Sequence, residues 1–165
     1  MKKFFTRITA PVKLPYWPQD LLLLIPRIYC GYLLSFNFGA AKFGLPWSPD
    51  ETNLRLFEVA FWFPNDIAEH GGVFAMFPAT LAWLGAFSEG VGGLALILGF
   101  QLRLFSFLIG CTMLVAAFVQ HAGHDLWQQL PAIGFLWVAI YSLILGGGRF
   151  SLDYLIAQKL RYEKK

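Results

Sequence analysis

The chain has 165 residues, 57% hydrophobic and 14% charged, with a net charge of +3 and a mean hydropathy of +0.55. A soluble domain normally carries about a quarter charged residues, so this composition excludes an ordinary water-soluble fold and places the chain in a bilayer. The basic residues gather toward the chain ends instead of forming a stripe interleaved with exposed aromatics, which argues against nucleic acid as a partner.

The first segment, Met1 to Asp20, is basic and interrupted by Pro11, Pro15 and Pro18, and its first long apolar run starts at Leu21. A cleaved signal peptide places its apolar core directly behind the basic start, so the segment is expected to stay in the mature protein. Four apolar stretches follow at about 21–43, 79–100, 104–122 and 130–145. Each is near the roughly 20 residues that cross a ~30 Å hydrocarbon layer as a helix. The expectation is an all-α integral membrane four-helix bundle, one domain over residues 1–165. Gln101 to Arg103 leave room only for a tight hairpin between the second and third spans.

Lys2, Lys3, Arg7 and Lys13 precede the first span, Arg103 lies in the middle turn, and Arg149, Lys159, Arg161, Lys164 and Lys165 follow the last. The opposite side has only Lys42 and Arg55. The positive-inside rule therefore predicts cytoplasmic termini. The outer loop, 44–78, is too long for a turn. Ser48, Pro49 and Glu51 match a helix start, with Leu54, Phe57, Phe61 and Trp62 at helical spacing before Pro64. This predicts an interfacial helix on the outer membrane face, with a lid packed on the bundle as the alternative. Gly146 to Gly148 should stop the fourth helix, and Ser151 should cap a C-terminal amphipathic helix over Leu152 to Arg161. Tyr16, Trp17, Trp47, Trp127 and Tyr154 sit near span ends and fit interfacial aromatic belts.

Charge inside a bilayer is costly, which singles out Arg27 and Glu89. Helical rise puts them roughly 10 Å and 16 Å deep, within reach of one Arg side chain. Two readings are compatible: a buried ion pair that sets helix register, or a polar site that relays a proton or holds a polar headgroup. Asn37 and Ser35 add polar groups toward the outer half, and Lys42 stands where it could snorkel to the interface. Gly85, Gly90, Gly92 and Gly93 surround Glu89 and allow close helix approach or space for a ligand.

His121 and His124 share a metal-like spacing, but polar termination of the third helix explains them better, and no metal is expected. Haem is disfavoured too, because a bis-His site needs imidazoles facing each other within the bundle and the spans hold no His except His121 at the very end of the third. Cys30 and Cys111 come out at similar depth, and buried Cys behaves mainly as a small apolar residue. Phosphate loops, nucleophile elbows, zinc-protease patterns and dinucleotide fingerprints are missing from the chain. Any chemistry therefore needs a partner or a lipophilic cofactor.

The stretch from Glu89 through Gly90, Gly92, Gly93 and Gly99 to Arg103 resembles the second-span signature of the DoxX family. Arg27, Gly39, Lys42, His121 and the run Gly147 to Asp153 are similar to that pattern in the same order, over about 25–156. The loop at 44–78 is longer and more aromatic than the family pattern. The resemblance implies a four-span bacterial inner-membrane protein tied to redox chemistry, since relatives include quinone-linked oxidoreductase subunits and members of oxidative-stress complexes. On that basis the leading expectation is a membrane subunit with a quinone-like ligand near Arg27 and Glu89. Arg103, Arg149 and Asp153 would organise the cytoplasmic mouth by charge pairing. A noncatalytic scaffold or assembly factor and a small-solute transporter are the alternatives.

Overall fold

A computed structural model describes residue 12 and residues 14–123 and 125–162. Helix α1 spans Trp17–Tyr32 and widens into a π-helical stretch, Leu33–Gly39. Two short helices, α2 (Phe63–Ala68) and α3 (Gly72–Met76), lie in the long loop. Helices α4 (Pro78–Leu98) and α5 (Leu102–Val115) form the hairpin, with α5 extended by a π-helical stretch over Ala116–Gln120. Helices α6 (Leu126–Leu145) and α7 (Leu152–Tyr162) complete the order. The segments Trp17–Gly39, Pro78–Leu98, Leu102–Gln120 and Leu126–Leu145 are long and apolar enough to cross a membrane. The two ends of the bundle are called the terminal face, where Leu14 and Arg149 meet, and the loop face, which carries residues 40–78.

Span boundaries depart from the sequence expectation by a few residues. The first starts at Trp17 because Pro18 falls in its first turn, where a missing N–H is harmless. The Gln19 side chain also accepts from the Tyr16 N–H. The fourth starts at Leu126 because Pro131 is accommodated inside it. Its end is as expected: the helix stops at Leu145 and Gly146 adopts φ +74°. Ser151 Oγ accepts from Tyr154 N–H at the start of α7, which is the N-cap read from the sequence.

The predicted helix from Ser48 to Trp62 does not form. Ser48 Oγ donates to the Phe43 carbonyl and accepts from Leu45 N–H. Only Asp50–Thr52 make a short 3₁₀ turn before Asn53 and Phe57 take positive φ and reverse the chain. Residues 55–60 then run back along 42–45, with Ala60 N–H on Lys42 O, Gly44 N–H on Glu58 O, and a bridge between Phe43 and Val59. Pro64 does not end a helix but sits in the first turn of α2. The loop is therefore the alternative, a lid on the bundle, with Phe43, Leu45, Phe63, Ala82 and Ala86 forming an apolar core beneath it. A second core, including Leu34, Leu96, Ile109, Met113 and Phe135, fills the bundle itself.

Lipid tails are as apolar as the helices, so association depends on close packing and internal hydrogen bonds. Helix α1 meets α4 along glycines. A Cβ on Gly93 would lie 2.7 Å from Ser35 N and 2.8 Å from Gly31 O, and one on Gly39 would lie 2.5 Å from Gly90 Cα. At this contact Ser35 Oγ donates to Gly90 O at 2.7 Å. Because these neighbours are backbone atoms, they cannot rotate aside. Gly93→Val is expected to destabilise the bundle by about 1–3 kcal/mol through overpacking. Thermal unfolding in detergent measures this, and an unchanged melting temperature would contradict the seam.

Candidate functional site

The glycine seam decides what the two intramembrane charges can reach. With Gly31 against Gly93, Arg27 lies one turn toward the terminal face and Glu89 one turn toward the loop face. Four residues on each side separate their levels by about 12 Å at ~1.5 Å per residue. Helical side chains also tilt toward their own N-terminus. Since α1 and α4 run oppositely, the two side chains diverge. The expected Arg27–Glu89 pair is therefore not formed.

Glu89 instead pairs with Lys42, Nζ to Oε2 at 2.7 Å. Lys42 follows the end of α1, and because Gly39 packs on Gly90, Lys42 stands above Glu89 and turns inward instead of snorkelling. Its ammonium also sits 4.7 Å from the Phe63 ring centre, a favourable cation–π geometry. The pair borders a cleft of about 200 Å³ between α4, α5 and the lid. Leu81, Leu84, Leu108, Val115 and Ile67 give it apolar walls, Cys111 lines it, and Asp66, His70 and Gln120 bring polar groups. Ser88 and Thr112, which also line it, hydrogen-bond to each other at 2.6 Å and tie α4 to α5. A buried ion pair with hydroxyls and apolar walls suits a ligand with a polar head and an apolar body.

Arg27, 1% exposed, belongs to a second polar layer at the terminal face. Its Nη1 donates to Gly147 O at 2.8 Å and its Nη2 to Phe150 O at 2.6 Å. Asp20, equally buried, accepts from the Arg149 N–H at 3.1 Å and pairs with Arg149 Nε at 3.4 Å. Arg149 Nη2 also reaches Leu14 O. Gly148, at φ +62°, abuts the Asp20 carboxylate so closely that a Cβ would collide with it. Asp153 accepts from the Gln101 and Leu102 N–H groups, each at 2.9 Å, capping α5. Burial pushes the Asp153 carboxyl above the ordinary carboxylate value, opposed by those two N–H groups and by the Arg27 and Arg103 charges. Together these contacts latch the segment after α6 onto α1 and onto the α4–α5 turn.

The DoxX family profile matches residues 22–122, which takes in most of α1, the lid, α4 and all of α5. The chain belongs to the DoxX family. Neither the curated proteins nor the solved structures contain a significant match. The family match and the four apolar helices make this DoxX protein a multi-pass membrane protein.

Other residues singled out in the sequence scatter over the DoxX bundle. Asn37 is exposed, on the far side of the first span from the cleft, while Ser35 takes the inward position. Arg103, Arg149 and Asp153 share the terminal face, where Arg103 Nη2 donates to Ile144 O, its charge acts on the Asp153 carboxyl, and Arg149 pairs with Asp20. His121 lies just past the π-helical end of α5, where its carbonyl accepts from Gln129 Nε2. It does not line the cleft, and His124 lies outside the described residues. Among the described residues no three His, Cys, Asp or Glu side chains gather as a metal site. Cys30 packs against the bundle core whereas Cys111 lines the cleft. Asp20, Ser88 and Thr112 carried no sequence signal, although Ser88 adjoins Glu89 and its place beside the carboxylate could have flagged it.

Removing Arg27 should cost stability without touching the cleft. Arg27→Met is expected to lose about 1–3 kcal/mol from two charge-assisted bonds, read as a lower melting temperature in detergent. An unchanged melting temperature would mean that the latch does not hold the terminal face.

Proposed function

We propose that this DoxX protein is the membrane subunit of a redox or oxidative-stress assembly in a bacterial inner membrane, with both termini cytoplasmic. It holds a quinone-like head in the cleft beside Lys42 and Glu89. The observation that carries this reading is the inward-turned Lys42–Glu89 pair bordering an apolar cleft. The cleft volume and its apolar walls fit a ring with an apolar body, and Lys42 supplies the charged donor for a carbonyl oxygen. A bound quinone would supply a two-electron, two-proton carrier.

The chain's own residues have defined parts in this reading. Lys42 positions and polarises a carbonyl oxygen through its ammonium. Glu89 holds or passes a proton at the same oxygen. Phe63 and Ile67 of α2 keep water from the pair on the loop face. Electrons come from a partner subunit, because this chain contains no motif for a redox cofactor of its own. Arg27, which the sequence grouped with the ligand, acts here in architecture alone.

A scaffold or assembly role is the second reading, favoured by the terminal latch of Asp20, Arg149, Arg27 and Asp153. The two readings separate in one experiment. In gently solubilised protein, Glu89→Gln and Lys42→Met are expected to reduce co-purified quinone, measured by mass spectrometry. Loss of about 1.5–3 kcal/mol from a charged hydrogen bond corresponds to roughly a ten- to hundredfold drop in affinity. Absence of quinone in the unmodified protein, together with undiminished partner activity in Glu89→Gln, would overturn the ligand role and leave the scaffold.

A further inference from the structure

The walls of the cleft reach the outside of the bundle at an unexpected height. Cys111 lies at the centre of the Leu102–Gln120 span, nine residues from each end, and is exposed. At ~1.5 Å per residue this is about 14 Å from either end, the middle of the hydrocarbon layer. Leu84, on the facing side of α4, is 44% exposed and also lines the cleft. The stretch of cleft wall that these two side chains form faces lipid tails rather than water. On the loop face the rim differs in chemistry: Asp66, His70 and Gln120 are exposed there, while Phe63 and Ile67 of the lid cover the pair.

We propose that the cleft has a lateral portal between α4 and α5, through which a membrane-borne amphiphile enters from the bilayer. Its polar head rests on Lys42 and Glu89, and its apolar chain leaves between Leu84 and Cys111. This rests on the reading that the cleft binds a quinone-like head, and adds the route of access and the requirement for a chain. Two features of the cleft support the chain. The portal lies where only a lipid-soluble molecule is available, and its rim offers no hydrogen-bonding side chain that would favour a water-soluble solute. Glu89, 4% exposed, meets such a molecule only after it has passed the rim.

The test uses the full chain in nanodiscs of phosphatidylethanolamine and phosphatidylglycerol. The probe is a decyl-benzoquinone with a diazirine at the end of its chain, and the control is a decyl ether with the same diazirine and no quinone head. Crosslinks mapped by mass spectrometry are expected on the Leu84 and Cys111 faces, and excess unlabelled decyl-benzoquinone should compete them away. In Leu84→Trp/Cys111→Trp, which fills the rim with exposed side chains, competed labelling should fall about tenfold. Competed crosslinks at Asp66, His70 and Gln120 instead would overturn the portal while leaving the quinone site in place. Undiminished labelling in the double variant would overturn it as well. Equal, mutually competing labelling by the headless control would support the portal and overturn the quinone head. The map on the unmodified chain keeps the portal falsifiable if the double variant fails to fold.

Discussion

A carboxylate deep inside an apolar bundle needs a cation, and almost everything at the loop face of this DoxX protein follows from how Lys42 reaches Glu89. Isolated, Glu89 would be costly in a membrane, and a buried pair repays its desolvation only when the geometry is good. The geometry comes from backbone. Gly39 lies on Gly90 and Gly93 on Ser35, so the chain leaves α1 directly above the carboxylate. The lid then folds back along 42–45 and sets Phe63 against the ammonium. Larger residues in the seam would move Lys42 away from its partner before any charge had changed.

The polar groups divide into two layers that share no member. At the terminal face, Arg27 Nη1 and Nη2 donate to carbonyls, Asp20 pairs with Arg149, and Asp153 accepts from the first N–H groups of α5. Each contact joins segments distant in sequence, and Asp20, Arg27 and Asp153 are buried against protein. At the loop face the Lys42–Glu89 pair borders space. Architecture and candidate chemistry thus sit in different halves of the bundle. The two π-helical stretches, Leu33–Gly39 and Ala116–Gln120, both lie in the half with the cleft. Such widened turns often mark functional sites, and here the second of them lines the cleft through Ala116 and Gln120.

Much of the architecture was legible in sequence because it depends on local chemistry. Apolar runs of membrane length, a glycine stop at Gly146 and a Ser151 cap are each decided within a few residues. The pairing of charges was not, because it depends on how α1 slides against α4, and that register is set by contacts between glycines that leave no pattern in hydropathy. Counting depth from span ends placed Arg27 and Glu89 together, when seam register and the opposite tilt of their side chains separate them. The loop failed for another reason. Ser48 and Glu51 carry a real helix-start signal, but Ser48 is engaged by Phe43 and Leu45, and tertiary pairing with 42–45 outweighs the local preference. Asp20 was hidden at the edge of a proline-rich segment, where nothing marked it as buried.

Glu89 is coupled to Lys42 and independent of Arg27, which is held by the Gly147 and Phe150 carbonyls. A pair of double-mutant cycles in thermal unfolding, carried out in one lipid nanodisc composition, tests this directly. Lys42→Met combined with Glu89→Gln should depart from additivity by about 0.5–3 kcal/mol, as contacting charges do. Arg27→Met combined with Glu89→Gln should add within about 0.5 kcal/mol. Coupling between Arg27 and Glu89, with Lys42 additive, would contradict the account.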